Sequence, residues 1–117
     1  MAISALAFTM YPVTDIPRAV AFYEHALGLK KTDVANAVWV EFDVAGGTFG
    51  VGNFEQVGKA GTAQSLALEV ERLDEFRTRV AERGVEVSEP HDLPTCRIAV
   101  VRDPDGNSIW LHESKAR

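Results

Sequence analysis

A chain of 117 residues with 46% hydrophobic content is the size of one compact domain, expected to bury roughly 65% of its unfolded surface. Its net charge of -5 is dispersed along the chain, which excludes the basic face that a nucleic-acid backbone requires. No apolar run is long enough to span a bilayer, and the Met1-Ala2-Ile3-Ser4 start lacks the positive region of a secretory leader, so neither membrane nor nucleic acid is an expected partner and the expected location is the cytoplasm.

In chain order, residues 5–13 alternate with a period near two, and Pro12, which has no N–H, marks an edge or bulged strand. Asp15 caps a helix entered through Pro17, with Ile16, Val20, Tyr23 and Leu27 on its apolar face and Gly28 at its end. Residues 29–32 begin a second strand. Along a third, Val38, Val40 and Phe42 alternate with Trp39, Glu41 and Asp43, and the Gly46-Gly47 turn leads to a short fourth. Residues 55–63, rich in glycine and small polar side chains, suit a crossover or a mobile flap.

The pattern then restarts. Leu66, Leu68 and Val70 alternate with Ser65, Ala67 and Glu69, and Leu73, Phe76 and Val80 give the next helix its stripe before Gly84 stops it. Val85 and Val87 start a strand, residues 89–94 form a loop, and residues 97–102 lead into Asp103-Pro104-Asp105-Gly106-Asn107, a tight hairpin turn before the strand Ser108-Ile109-Trp110-Leu111-His112. Cys96, the one cysteine, has no disulfide partner and no companion thiolate for zinc, and reads as a small apolar residue.

The two halves match. Val13-Thr14-Asp15-Ile16 and Val70-Glu71-Arg72-Leu73 open the two helices, and Asp43-Val44-Ala45-Gly46-Gly47 corresponds to the turn at Asp103. The expected organisation is one α+β domain, residues 1–117, made of two tandem β-α-β-β-β modules: about 1–54 and about 64–117, joined by a linker at about 55–63.

The run Asp15-Ile16-Pro17-Arg18-Ala19-Val20-Ala21-Phe22-Tyr23, the helix end Ala26-Leu27-Gly28-Leu29 and the Asp103-Pro104-Asp105-Gly106-Asn107 turn resemble the vicinal oxygen chelate superfamily, the group of glyoxalase I, bleomycin resistance proteins and extradiol dioxygenases. That resemblance implies a cup of curved mixed sheets. In the enzymes of the group the cup holds a divalent metal through inward residues on the first and last strand of each module. Carried onto this chain, those positions fall on Phe8, Gly50, Ser65 and Trp110. A cation needs good oxygen or nitrogen donors, and only the serine offers one, a weak hydroxyl. The expectation is therefore no metal and no cofactor.

Alternation places Phe8, Met10, Trp39, Glu41, Ser65, Glu69, Trp110 and His112 on the cup side, and with Gly50, which the resemblance implies, they make the expected ligand-binding set. Phe8, Met10, Trp39 and Trp110 suit a flat apolar molecule. Glu41, Glu69 and His112 are the candidates for acid-base chemistry, or for a non-standard metal site. Nucleophilic catalysis has no footing, since neither Ser65 nor Cys96 has an evident activating neighbour. The expected function is a metal-independent drug- or metabolite-binding protein resembling the bleomycin resistance branch. The alternative is a glyoxalase-like lyase or isomerase, or a dioxygenase-like enzyme, working through a carboxylate or an unusual metal site. The resemblance also implies a homodimer in which a partner completes or flanks each cup.

Overall fold

The computed structural model describes residues 2–115. Module one runs β1 (Thr9–Pro12), α1 (Ile16–Val20) continued by wider π-helical turns (Ala21–Ala26), β2 (Lys30–Ala35), β3 (Trp39–Val44) and β4 (Gly47–Gly52). A single 3-10 turn at Glu55–Val57 follows. Module two runs β5 (Leu66–Glu69), α2 (Leu73–Glu82), β6 (His91–Asp92), β7 (Cys96–Arg102) and β8 (Ser108–Ser114). The sheets have the same order, β1-β4-β3-β2 and β5-β8-β7-β6, each with one parallel pair at the first strand and antiparallel pairs elsewhere. The α+β repeat of β-α-β-β-β units is as the sequence reads.

Alternation sorts each sheet into two faces. Tyr11, Val40, Phe42, Phe49 and Val51 point into the core of module one, and Leu68, Ala99, Val101, Ile109 and Leu111 into that of module two. These residues form a single apolar cluster with the helices. The opposite faces carry Met10, Trp39, Glu41 and Gly50 on the first sheet and Ala67, Glu69, Trp110 and His112 on the second, each set in register across its strands.

Several local expectations differ from the structure. The first strand starts at Thr9, which pairs with Phe49 of β4, and residues 2–8 ahead of it are exposed. The first helix widens after Val20, with the Leu27 N–H donating to the Phe22 carbonyl five residues back. That extra residue shifts the buried face to Ile16, Ala19, Phe22, Tyr23, Ala26 and Leu27 and leaves Val20 half-buried. Val38 is exposed, since β3 begins one residue later. Val85 and Val87 do not make a strand: Val87 forms one isolated bridge to Val101, and the second strand of module two is His91–Asp92, beyond Pro90, which has no N–H for a ladder.

The linker is a pinned crossover rather than a mobile flap. Val57 is buried, and the N–H groups of Gly61 and Ala63 donate to Asn107 Oδ1 at 3.0 and 3.1 Å. Asn107 belongs to the 103–107 turn, which does much more than reverse the chain. The Asp103 carboxylate accepts from the N–H groups of Asp105 and Asn107, from Asn107 Nδ2 at 2.8 Å and from the Tyr23 hydroxyl at 2.7 Å. Asn107 Nδ2 also donates to the Pro12 carbonyl, while the Thr14 N–H and hydroxyl both donate to Asp105. Beside the turn, the Tyr11 hydroxyl donates to the Ser108 carbonyl and accepts from the Leu66 N–H, both at 2.7 Å. Burial first, then the charge of Asp103, pushes the Tyr23 hydroxyl far above its ordinary pKa, and burial raises Tyr11 likewise, so both remain neutral donors. Among the described residues no helix is long and apolar enough to cross a membrane.

Candidate functional site

The site is built from the floor of β4. Trp39 lies opposite Gly52, and Glu41 opposite Gly50, so both glycines sit under the side chain of Trp39. A Cβ placed on Gly50 would stand 2.3 Å from Trp39 Cζ2 and 2.4 Å from Cη2, and one on Gly52 would stand 2.9 Å from Trp39 Cε3. The absence of side chains there lets the indole lie against bare backbone. Phe8 meets it edge-on at 5.2 Å between centroids, Phe54 is tilted at 6.1 Å, and the indole N–H donates to Glu41 Oε2 at 2.9 Å. The ring is held on four sides, and its remaining face opens on a cavity of about 330 Å³ lined by Phe8, Met10, Trp39, Phe54 and Gln56.

Module two presents a different surface. Trp110 lies opposite Ala67 and is 42% exposed, and Glu69 lies directly opposite His112 in the β5-β8 pair. Glu69 Oε1 is 2.6 Å from His112 Nδ1, and Glu69 Oε2 accepts from the Ser114 N–H at 2.9 Å. Arg97, on the neighbouring β7, bridges Asp74 and Glu113. Among the described residues the two faces do not merge within one chain: none of module two lines the Trp39 cavity, and Trp110 makes no ring contact with Phe8, Trp39 or Phe54.

The profile of the glyoxalase/bleomycin resistance protein/dioxygenase superfamily matches residues 5–111. The chain belongs to that superfamily. Its fold is similar to that of TnmS3, an antibiotic binding protein from Streptomyces sp. CB03234, at 30% identity and a TM-score of 0.86, covering 98% of this chain and 99% of that one. A glyoxalase/bleomycin resistance protein from the same Streptomyces strain is 29% identical, with a TM-score of 0.78 over 92% of this chain and 98% of the other. Lactoylglutathione lyase from Agrobacterium tumefaciens, at 22% identity and a TM-score of 0.81 over 97% and 96%, shares the fold. No curated protein matches the sequence.

The four positions to which the superfamily resemblance assigns metal ligands can now be placed. Phe8 packs on the indole, Gly50 is roofed by it, Trp110 stands on the far sheet, and Ser65 is exposed just ahead of β5. This donor set does not fit a divalent cation, and among the described residues no three His, Cys, Asp or Glu side chains gather into an alternative. Glu41, Glu69 and His112 in particular are split between an indole partner on one sheet and a mutual pair on the other. Two wall residues, Phe54 and Gln56, escape a reading by strands because they follow the end of β4; the spacing of two in Gly50, Gly52 and Phe54 is the signal that points to the first of them.

Proposed function

We propose that this protein is a metal-independent small-molecule binder that holds a flat apolar compound against Trp39 without transforming it. The observation that carries the reading is the indole fixed on a glycine floor beside an open apolar cavity, within the size range of sites for drug-like molecules. The likeness to TnmS3, an antibiotic binding protein, supports the same reading. It is tested by titrating flat aromatic compounds while following tryptophan fluorescence. Saturable quenching is expected, unchanged by a metal chelator, and titration calorimetry, which needs no tryptophan reporter, is expected to show affinity weakened at least tenfold by Trp39→Ala, an effect of about 1.4 kcal/mol or more. Quenching that needs a divalent metal, or affinity that survives Trp39→Ala, counts against the proposal.

The second reading, a glyoxalase-like lyase or isomerase, rests on the Glu69-His112 pair, whose 2.6 Å contact is within the reach required for proton transfer. Binding is favoured because that pair lies outside the walls of the Trp39 cavity.

The proposal includes a cytoplasmic homodimer with no nucleic-acid or membrane partner. Phe8, Met10 and Trp110 are each about two-fifths exposed, and β1, carrying Pro12, is an open edge. A two-fold arrangement would lay the Trp110 face of one protomer over the Trp39 cavity of its partner, making Trp110 part of the composite site. Light scattering at micromolar concentration is expected to give twice the 12.8 kDa mass of the chain. A monomer mass, with ligand binding intact in Trp110→Ala, would remove the partner from the site.

A further inference from the structure

We infer that the occupant of the Trp39 cavity carries a cationic nitrogen, received by Glu41 at the edge of the indole. The inference rests on the cavity being a ligand site and adds the chemical class of the ligand. Its starting point is how the polar groups of the wall are used. The indole N–H is consumed by Glu41 Oε2 at 2.9 Å, so Trp39 has no donor left for a carbonyl, a phenolate or a carboxylate. What it offers is a ring face, whose negative quadrupole attracts cations.

Glu41 is half-buried, and its other oxygen, Oε1, accepts no hydrogen bond among the described residues. Nor does a resident cation neutralise it. Lys30, the basic residue that β2 contributes to this face, lies opposite Asp43, and the strand beside Glu41 is interrupted by the irregular register between Lys31 and Ala35. No ion pair among the described residues includes Glu41. Phe8, Met10 and Phe54 supply no charge, and Gln56 supplies a neutral amide.

Glu41 is not one of the five residues lining the cavity but stands one hydrogen bond away at the indole edge, and with one committed and one available oxygen there it favours a ligand whose flat hydrocarbon body fills the cavity and whose positive nitrogen reaches past the edge of the ring. A neutral ligand of the same shape gains the packing and forgoes the charge. An anionic one meets Glu41 and a chain of net charge -5.

The test compares N-methylquinolinium with its neutral isostere 1-methylnaphthalene, using the NMR resonance of the Trp39 indole N–H to follow each titration of the full chain. The cation is expected to bind about tenfold more tightly. That ratio should shrink when salt is raised from about 20 mM to about 0.5 M. In Glu41→Gln, where the side-chain oxygen still accepts from the indole and holds its resonance in place, the ratio should fall severalfold, to the smaller preference that the ring face alone supplies. Equal affinities in the unaltered protein would overturn the cationic assignment and leave the cavity as a site for neutral molecules. A ratio that survives Glu41→Gln would remove Glu41 from the role. Saturable shifts from neither compound would overturn the binding reading itself.

Discussion

Replacing Asp103 by alanine is expected to destabilise the protein by about 3–5 kcal/mol, the range for removing one partner of a buried charged network. Asp103 is only 4% exposed and accepts from four donors: the Tyr23 hydroxyl, Asn107 Nδ2 and two backbone N–H groups. Alanine leaves those donors facing one another with no acceptor, in a place too tight for bulk water. The loss would be a large share of the roughly 5–15 kcal/mol that holds an ordinary domain together. Urea unfolding gives the measurement, and the internal repeat provides the control. Asp43 stands at the corresponding place in module one, but it is exposed, so Asp43→Ala should change stability by no more than about 0.5 kcal/mol. Equal effects at the two positions would show that the network contributes little.

The second large effect concerns Gly50. Gly50→Val would drive its Cβ into the six-membered ring of Trp39, 2.3 Å from Cζ2, and β4 cannot yield because it is paired on both sides, with β1 and β3. The indole must leave. Its departure breaks the hydrogen bond to Glu41 and both ring contacts, at a cost of about 1–3 kcal/mol, the range for overpacking. In a Trp110→Phe background, where Trp39 is the remaining tryptophan, emission should shift to the red as the ring enters water, and binding at the cavity should fall at least tenfold. Unchanged emission and affinity would mean that the ring can be accommodated elsewhere on the same face, and that the glycine floor does not define the site.

The architecture was legible because it is written in local patterns. The alternation of Leu66 and Leu68 with Ala67 and Glu69, the glycines after both helices and the repeated turn required no knowledge of distant residues. The faces of the sheets are legible for the same reason: alternation separates Met10, Trp39, Glu41 and Trp110 from the buried side of their strands. What escaped depends on tertiary partners. Asp103 and Asn107 look like ordinary turn residues until Tyr23, Pro12 and Gly61 are brought to them. Gly50 looks like a lost ligand position until the conformation of Trp39 shows what lies above it. The π-helical turn also has no local signature here; it adds Phe22 and Ala26 to the buried face beside Tyr23, whose hydroxyl finds an acceptor from the other module.

The turn at 103–107 also bears on the order in which the chain can fold. The bonds it makes with Tyr23 and Pro12, and the neighbouring bond from Tyr11 to Ser108, join residues 80, 95 and 97 positions apart. Closing such distances is paid in chain entropy before any contact rewards it, which places proteins of this kind among the slower folders of their size. During synthesis the wait is longer still. A nascent module one can pair its strands, yet Tyr11 and Tyr23 find their partners only after the last hairpin has left the ribosome, some seconds later at about 5–20 residues per second. Through that interval the first half of the repeat is a sheet with its two buried hydroxyls unanswered.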